Sequence, residues 1–250
     1  MDNPELLKKF VADFAEMPGM KILVHGGGVM ASQMQKSMGM VPQMIEGRRV
    51  TDEETLRVVT MVYAGWCNKN IAALLQAQGC NAIGLTGADG NAIKARKRPP
   101  VYVESLNREV DYGFVGDVDK ADGLMLSRLI EQGIVPIVAP LTHDGNGNLL
   151  NTNADTMAAE TAKALSAHYD TRLIYCFEFP GVMRDPDDAD SLIPTITRES
   201  YRTLLADGIV SGGMVPKIDN AFNAIDNGVG EVIITRADAI DGIQGTHIIP

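Results

Sequence analysis

Glycines and polar side chains occur together at three points where an apolar run passes into a helical pattern. The first is KILVHGGGVMASQ, residues 21–33, in which three consecutive glycines follow His25. Consecutive glycines lose backbone entropy on folding and bury no side chain, but they let main-chain N–H groups approach a ligand closely, often an anion. The triplet therefore predicts either an anion cradle or a flexible turn, and the residues by themselves leave both interpretations open.

The second and third stretches place charged side chains where helical patterns begin. In NTNAD, residues 151–155, Asn153 is suited to cap the helix that follows. Asp155 falls in the first turn, where the helix dipole favours it and where it can also orient cations in a cleft. In SGGMVPK, residues 211–217, Lys217 follows a glycine pair as in a phosphate grip whose point charge is a lysine. A solvated lysine is the simpler interpretation of the same residue.

The sequence lacks two common nucleotide-binding motifs. Neither GxGxxG nor GxxxxGK[ST] occurs, which disfavours a dinucleotide-dependent oxidoreductase and a P-loop enzyme. Cys67, Cys80 and Cys176 lack CxxC spacing and therefore predict neither a disulfide framework nor a zinc site. We expect them to be reduced, buried thiols of a cytoplasmic protein.

Composition limits the classes of partner. With 250 residues and 45% hydrophobic content, the chain can bury a full core as one large domain or as two coupled lobes. A net charge of -10 argues against nucleic acid or an anionic membrane surface as the main partner. No apolar run approaches the roughly 20 residues of a membrane-spanning helix. Composition therefore predicts neither nucleic acid nor a membrane as a partner.

Helical and strand patterns alternate along the whole chain. Helices are predicted over residues 5–16, 51–78, 154–168, 199–206 and 214–227. Two further helices are predicted, one from the glycine triplet to residue 38 and one that follows the hairpins and ends at residue 132. The predicted strands cover residues 22–24, 82–85, 134–139, 172–177 and 231–235, with hairpins across 91–118 and a turn at 142–148. Such alternation favours an α/β fold, a three-layer αβα sandwich with a mostly parallel central sheet, whose ligands bind at the carboxyl ends of the strands.

The motifs taken together resemble the amino acid kinase family over nearly the whole chain. The matching stretches are LVHGGG, GRRVTDEET, GLTGADG, GFVGDV, GIVPIVAPLTHDGNGNLLNTNADTMA, PGVMRD, GIVSGGMVPKIDNA and GTHI. The resemblance implies phosphoryl transfer from ATP, carried with Mg²⁺, to the γ-carboxylate of N-acetyl-L-glutamate in arginine biosynthesis. It also implies a cytoplasmic homodimer. N-succinylglutamate as the acceptor, or a non-catalytic sensor of amino acids or nucleotides, are the alternatives that the residues leave open.

The resemblance also assigns roles to residues of the acceptor site. By this resemblance Gly27 and Gly28 contact the substrate and the migrating phosphoryl group. Arg49 holds a substrate carboxylate through its planar fork, which lysine cannot copy. Asn151 hydrogen-bonds the α-substituents of the substrate.

For catalysis and nucleotide binding, the resemblance implies a further set of residues and no protein-bound metal. Lys217 stabilises the β–γ phosphate bridge as it breaks, Asp155 orients the catalytic lysines, and Gly27 completes the catalytic set. The nucleotide is expected to contact Phe177, Glu178, Gly181, Val182, Ile209, Val210 and Ser211. Residues 1–168 are then an acceptor-binding and dimerisation lobe, and residues 169–250 an ATP-binding lobe, built on one continuous sheet.

One feature of the family has no match in these 250 residues. Its members begin with a strand that ends in Lys-x-Gly-Gly, whose lysine is the second positive charge at the transferred phosphoryl group. Lys8 and Lys9 lie instead inside a helical pattern. We therefore expect the chain as given to transfer phosphate poorly, and an upstream strand to restore the activity.

Overall fold

The computed structural model describes residues 3–185, 187, 188, 190–212 and 214–250, apart from the side chain of Pro216. Two compact units make up the chain. The first unit contains Met20–Met157, and the second contains Asn3–Gly19 and Ala158–Pro250. The assignment of acceptor binding to residues 1–168 and of nucleotide binding to 169–250 stays a prediction.

The first unit is built from short parallel strands, a set of hairpins and long helices. Its strands are β1 Leu23–Val24, β2 Met44–Ile45, β3 Arg48–Arg49, β4 Ala82–Leu85, β5 Ile93–Lys97, β6 Val101–Val103, β7 Arg108–Val110, β8 Gly116–Ala121, β9 Val135–Val138, β10 Leu141–His143 and β11 Leu149–Asn151. Its helices are α2 Gly28–Ser37, α3 Glu53–Thr60, α4 Asn68–Ala77 and α5 Gly123–Glu131, and α6 Ala154–Ser166 begins in it.

Parallel pairing brings the glycine triplet to one end of a small sheet. Strands β1, β9 and β4 form a three-stranded sheet in that order, with Val24 opposite Val138 and Leu85 opposite the same residue. The triplet follows β1 directly and passes into α2. Since parallel strands end at a common edge, the loop after β1 lies where ligands bind in open α/β sheets.

The long helix predicted over residues 51–78 is present but is not uniform. It begins at α3, where Asp52 caps the first turn by accepting a hydrogen bond from Thr55 N at 2.8 Å. Residues Met61–Cys67 then form a π-helical segment before α4 resumes regular geometry. Segments of π-helix are rare and occur frequently at functional sites. The π segment is the part of the helix that faces the glycine loop.

The second unit contains its own four-stranded sheet. Its strands are β12 Arg172–Phe177, β13 Thr195–Ile196, β14 Glu231–Arg236 and β15 Thr246–Ile248, in the order β12-β14-β15-β13. Its helices are α1 Pro4–Glu16, α7 Arg198–Ala206, α8 Met214–Asp226 and the later part of α6. Strands β12 and β14 are parallel along their whole length, whereas β14 and β15 are antiparallel. Buried side chains such as Ile218, Ile234 and Ile248 form its core.

The structure confirms the predicted α/β class with parallel sheets and corrects other expectations. Hydrogen bonds between the described strands form four sheets in the first unit and one in the second, and the continuous sheet through both lobes stays a prediction. Short strands β2, β3, β13 and β15 were not predicted, because two or three residues carry too little pattern to detect. Of the cysteines expected to be buried, Cys67 is buried, Cys80 is half-buried and Cys176 is exposed. None of the helices formed by the described residues is both long and apolar enough to cross a membrane.

Candidate functional site

Gly26 and Gly27, in the loop between β1 and α2, differ in how closely other residues pack around them. Gly27 caps α2 at φ +155°, and a Cβ atom placed on it would lie 2.8 Å from Tyr63 Cδ1 and 3.2 Å from Cys67 Sγ. Packing against the π segment therefore requires glycine at position 27. A Cβ atom on Gly26 would meet nothing within 4 Å. The protein itself gives no steric reason for glycine at position 26, which leaves open space beside that part of the loop.

The first amides of α2 are available to an anion. Among the residues that the structure describes, neither Gly27 N–H nor Gly28 N–H has a hydrogen-bond acceptor. Orphan amides and the positive end of the helix dipole both favour negative charge at this place. The loop thus has the chemistry of an anion cradle.

Arg49 lies beside this loop and is almost wholly buried, with 6% of its surface exposed. Its Nη2 donates to the carbonyl oxygen of Gly28 and to Ser32 Oγ, both at 2.8 Å, and its Nη1 donates to Gln35 Oε1. Its buried Nε has no hydrogen-bond partner in the part of the chain that the structure describes. No carboxylate among the described residues forms an ion pair with it. A buried guanidinium held by neutral acceptors, with a donor left over, is suited to pair with an anion.

Gln35 and Ser32 are site residues that the sequence did not predict. Gln35 is 1% exposed and its Nε2 donates to Thr55 Oγ1 at 3.1 Å, so the Gln35 amide links Arg49 to the start of α3. The available signal was the position of Gln35 four residues after Ala31, the other buried residue of α2. A polar side chain on the apolar face of a helix needs a buried partner, and here that partner is Arg49.

Asn151 is brought to Arg49 through Thr51. Asn151, which is 8% exposed, donates from Nδ2 to Thr51 Oγ1 at 3.0 Å, and Thr51 Oγ1 donates to the Arg49 carbonyl at 2.9 Å. Gly113 allows this arrangement, because a Cβ atom there would lie 2.2 Å from the Thr51 carbonyl oxygen. The structure therefore brings the Arg49 side chain to the glycine loop and links Asn151 to the Arg49 main chain through Thr51.

Asp155 lies in the first turn of α6, as the sequence predicted. Asn153 accepts a hydrogen bond from Thr156 N at 2.9 Å, which confirms that it caps this helix. The cap accounts for Asn153 of NTNAD, and Asp155 is half-buried in the same helical turn. Its predicted part in orienting lysines stays a prediction.

In the second unit, Lys217, which was predicted to be catalytic, contacts Phe177, which was predicted to bind the nucleotide. The Nζ atom of Lys217 lies 3.2 Å from the centroid of the Phe177 ring, at the carboxyl end of β12. A lysine over an aromatic face is held by the ring quadrupole. Lys217 is half-buried, which differs from the solvated lysine considered from the sequence.

The remaining predicted nucleotide contacts differ in their surroundings. Gly181 packs so closely that a Cβ atom would lie 2.6 Å from Thr246 Oγ1, and that same oxygen accepts a hydrogen bond from Val182 N at 2.8 Å. Packing within the second unit therefore explains the glycine at position 181. Glu178 and Ser211 are exposed, Ile209 is half-buried and Val210 is buried. Their contact with a nucleotide stays a prediction.

Burial controls the ionisation of two groups near the glycine loop. The pKa of His25 is lowered to about 4 by burial, so its ring is neutral at pH 7. Burial raises the pKa of Tyr63, and the Arg49 guanidinium opposes that rise through its charge and a side-chain hydrogen bond. No group of three or more His, Cys, Asp or Glu side chains suited to hold a metal lies within the described parts of the chain.

Comparison with known proteins gives consistent results. The amino acid kinase family matches residues 1–236. The chain is 57% identical over 248 residues to an acetylglutamate kinase of Bacteroides thetaiotaomicron, covering 99% of this chain and 94% of the relative. It is 54% identical over 240 residues to an acetylglutamate kinase of Cytophaga hutchinsonii, covering 96% and 89%.

Solved structures with a similar fold include smu.665 of Streptococcus mutans, with a TM-score of 0.75 at 25% identity, covering 99% of this chain and 92% of the other. They also include a carbamate kinase of Giardia, with a TM-score of 0.66 at 16% identity, covering 99% and 90%. At that identity the second similarity is evidence for the fold alone.

Proposed function

Because the chain belongs to the amino acid kinase family, we propose that it transfers the γ-phosphoryl group of ATP to the γ-carboxylate of N-acetyl-L-glutamate, in arginine biosynthesis. The observation that carries this proposal is Arg49. Among the described residues it is a buried cation with neutral partners and an unpartnered Nε, and the Gly27 and Gly28 amides of the adjacent loop have no acceptor. An acceptor that carries a carboxylate matches these donors.

The acceptor is bound by the first unit in this proposal. Arg49 pairs with a carboxylate of the substrate through its planar fork, a contact worth about 1.5–3 kcal/mol for a charged group. Asn151 hydrogen-bonds the α-substituents and is kept in place by Thr51. Gln35 and Ser32 orient the guanidinium, so that little freedom is lost when the substrate binds.

Phosphoryl transfer needs positioning and neutralisation of charge more than covalent help from the protein. The free amides of Gly27 and Gly28 stabilise negative charge on the migrating group, aided by the dipole of α2. Lys217 stabilises the β–γ bridge as it breaks, and Asp155 orients the catalytic lysines.

ATP is bound by Phe177, Glu178, Gly181, Val182, Ile209, Val210 and Ser211. Mg²⁺ arrives with the nucleotide and neutralises phosphate charge. Support for nucleotide binding in the second unit is the lysine held over Phe177.

Assembly and location extend the proposal. Met61 and Trp66 are 54% and 63% exposed on the outer face of the π segment, whose inner residues Tyr63 and Cys67 are buried. A large exposed indole beside a methionine is typical of an interface, and we place a second copy of the chain there as a homodimer. The free thiols support a location in the reducing cytoplasm.

The decisive experiment is a coupled assay of ADP release with four reaction mixtures: N-acetylglutamate, N-succinylglutamate, free glutamate and no acceptor. We expect turnover with N-acetylglutamate that exceeds turnover with free glutamate and with no acceptor. Faster turnover with N-succinylglutamate would reassign the acyl group, while binding of ligands without ADP release would favour a sensor. Lys217→Ala and Asp155→Asn serve as variants that should lose kcat with little change in substrate binding.

A further inference from the structure

The side chain of His25 contacts the main chain of the glycine loop at Gly26. His25 is 7% exposed, and its Nδ1 lies 2.7 Å from the carbonyl oxygen of Gly26. A carbonyl oxygen only accepts hydrogen bonds, so Nδ1 must carry the proton in this contact. His25 is thus a donor to the first peptide group of the triplet.

Asn68 determines the state of the other ring nitrogen. It is 1% exposed, and its Nδ2 lies 2.9 Å from the Ile137 carbonyl oxygen and 3.1 Å from His25 Nε2. Its Oδ1 accepts a hydrogen bond from Lys69 Nζ at 3.2 Å, which fixes the orientation of the amide. With the Nδ2 group donating, His25 Nε2 must accept and therefore carries no proton. The ring is held as one neutral tautomer, protonated at Nδ1.

The planar peptide group transmits this contact to the neighbouring amide. In a trans peptide the carbonyl and the following N–H point in opposite directions, and no cis peptide bond is present among the described residues. A Gly26 carbonyl that faces His25 therefore turns the Gly27 N–H away from the imidazole. That N–H has no acceptor within the described part of the chain.

We propose that His25 is a positioning residue whose Nδ1–H holds the Gly26 carbonyl, so that the Gly27 N–H is aimed at the transferred phosphoryl group. Asn68 sets the tautomer that makes this possible. The inference rests on the proposed function for the identity of the reaction. The arrangement of the peptide group and of the tautomer does not depend on that identity.

Two isosteric variants separate positioning from packing. The amide of Asn reaches the place of Nδ1, so His25→Asn keeps a donor to Gly26 and loses the contact with Asn68. The amide of Gln reaches the place of Nε2, so His25→Gln keeps Asn68 and leaves the Gly26 carbonyl without its donor. We expect kcat of His25→Asn within a few-fold of the wild type, and kcat of His25→Gln lower by about 10- to 100-fold, as for small misplacements of catalytic groups. The KM values for both substrates should change little.

Equal kcat in the two variants, or a more active His25→Gln, would overturn the proposal. A purely structural role would lower the Tm of both variants and leave kcat of the folded fraction unchanged. Nitrogen-15 NMR of the wild-type chain provides a test that needs no variant. We expect a protonated Nδ1 and an unprotonated Nε2 at pH 7, and an Nε2–H tautomer or a doubly protonated ring would contradict the proposal. Failure of the kinase assay with the expected tautomer present would count against the proposed function alone.

Discussion

Arg49 is the residue whose surroundings say most about the ligand. A buried guanidinium is costly unless it is paired. The described partners of Arg49 are the Gly28 carbonyl, the Gln35 amide oxygen and the hydroxyls of Ser32 and Tyr63, all neutral. These acceptors satisfy its hydrogen bonds in part without cancelling its charge. Such a residue is stabilised further by an anionic ligand, and the fork geometry selects a planar carboxylate.

Replacing this arginine by lysine tests its role in recognition. We expect Arg49→Lys to raise the KM for the acylglutamate by about 10- to 150-fold, which corresponds to about 1.5–3 kcal/mol. The KM for ATP should remain near the wild-type value. Arg57→Lys is the matched control, because Arg57 pairs on the exposed surface of α3 with Glu53 and Glu54. An unchanged acylglutamate KM in Arg49→Lys would remove this residue from the site.

Alanine substitutions at Gly26 and Gly27 distinguish an anion-binding loop from a structural turn. Gly27→Ala should destabilise the fold by about 1–3 kcal/mol, since it combines a strained φ with a clash against Tyr63. Gly26→Ala should keep the wild-type Tm, because its methyl group meets no protein atom, yet lose activity where that methyl occupies ligand space. Thermal unfolding and the ADP-release assay measure both effects. Full activity of Gly26→Ala would show that the triplet is only a turn.

At the scale of elements, the π segment has two faces with different tasks. Its inner residues Tyr63 and Cys67 pack on Gly27, and Asn68, the residue that follows it, bonds to His25. Its outer residues Met61 and Trp66 are exposed. The wider π turn rotates the residues that follow it relative to a regular α-helix. The segment thereby directs Tyr63, Cys67 and Asn68 to one loop.

Strands β14 and β15 of the second unit are joined by an ionic contact that depends on pH. His247 Nδ1 lies 2.5 Å from Glu231 Oε1, and Nε2 lies 3.0 Å from the Ile243 carbonyl oxygen. The hydrogen bond to Glu231 raises the pKa of His247. The folded chain therefore binds this proton more tightly than the unfolded chain, so the stabilisation is full below about pH 6.5 and is lost as pH rises through the folded pKa.

His25 has the opposite dependence. Its pKa is lowered to about 4 in the fold, so its neutral form stabilises the chain above about pH 6.5 and this stabilisation is lost between pH 6.5 and 4.

We expect His247→Gln to flatten the stability profile of the second unit above pH 6.5, measured by urea unfolding followed by circular dichroism. In the wild type, the fluorescence of Trp66, the one tryptophan of the chain, should report that the first unit becomes less stable to unfolding as pH falls toward 4. A His247→Gln profile that matches the wild type across pH 6–8 would contradict the first expectation.

At the scale of the whole molecule, the exposed tryptophan leads to a prediction about assembly. We expect the wild-type chain to sediment as a dimer, and Trp66→Glu to shift it to a monomer by placing a charge in an apolar interface. Ile243→Lys is the control, since Ile243 is 77% exposed and belongs to the second unit. Analytical ultracentrifugation across a range of concentrations distinguishes the outcomes. A monomeric wild type, or a dimer that survives Trp66→Glu, would place any interface elsewhere.

The sequence by itself determined the local elements and the family. Helix starts at Asp52 and Asn153 were predictable because a cap and its amides lie within three residues. The strands over 82–85 and 172–177 were predictable because their apolar runs are continuous. The motifs around Gly27, Arg49, Asn151 and Lys217 indicated the family because each combines several residues at fixed spacing.

Only the tertiary structure decided which side chains meet. Gln35 contacts Arg49 across 14 residues, Asn68 contacts His25 across 43, and Asn151 contacts Thr51 across 100. No pattern of period 2 or 3.6 encodes such pairs, and the π segment likewise appears in the sequence as ordinary helix. The exposure of Cys176 and the grouping of strands into separate sheets depend on the same long-range packing. Burial and partner choice are properties of the folded chain, so they emerge only when distant elements come together.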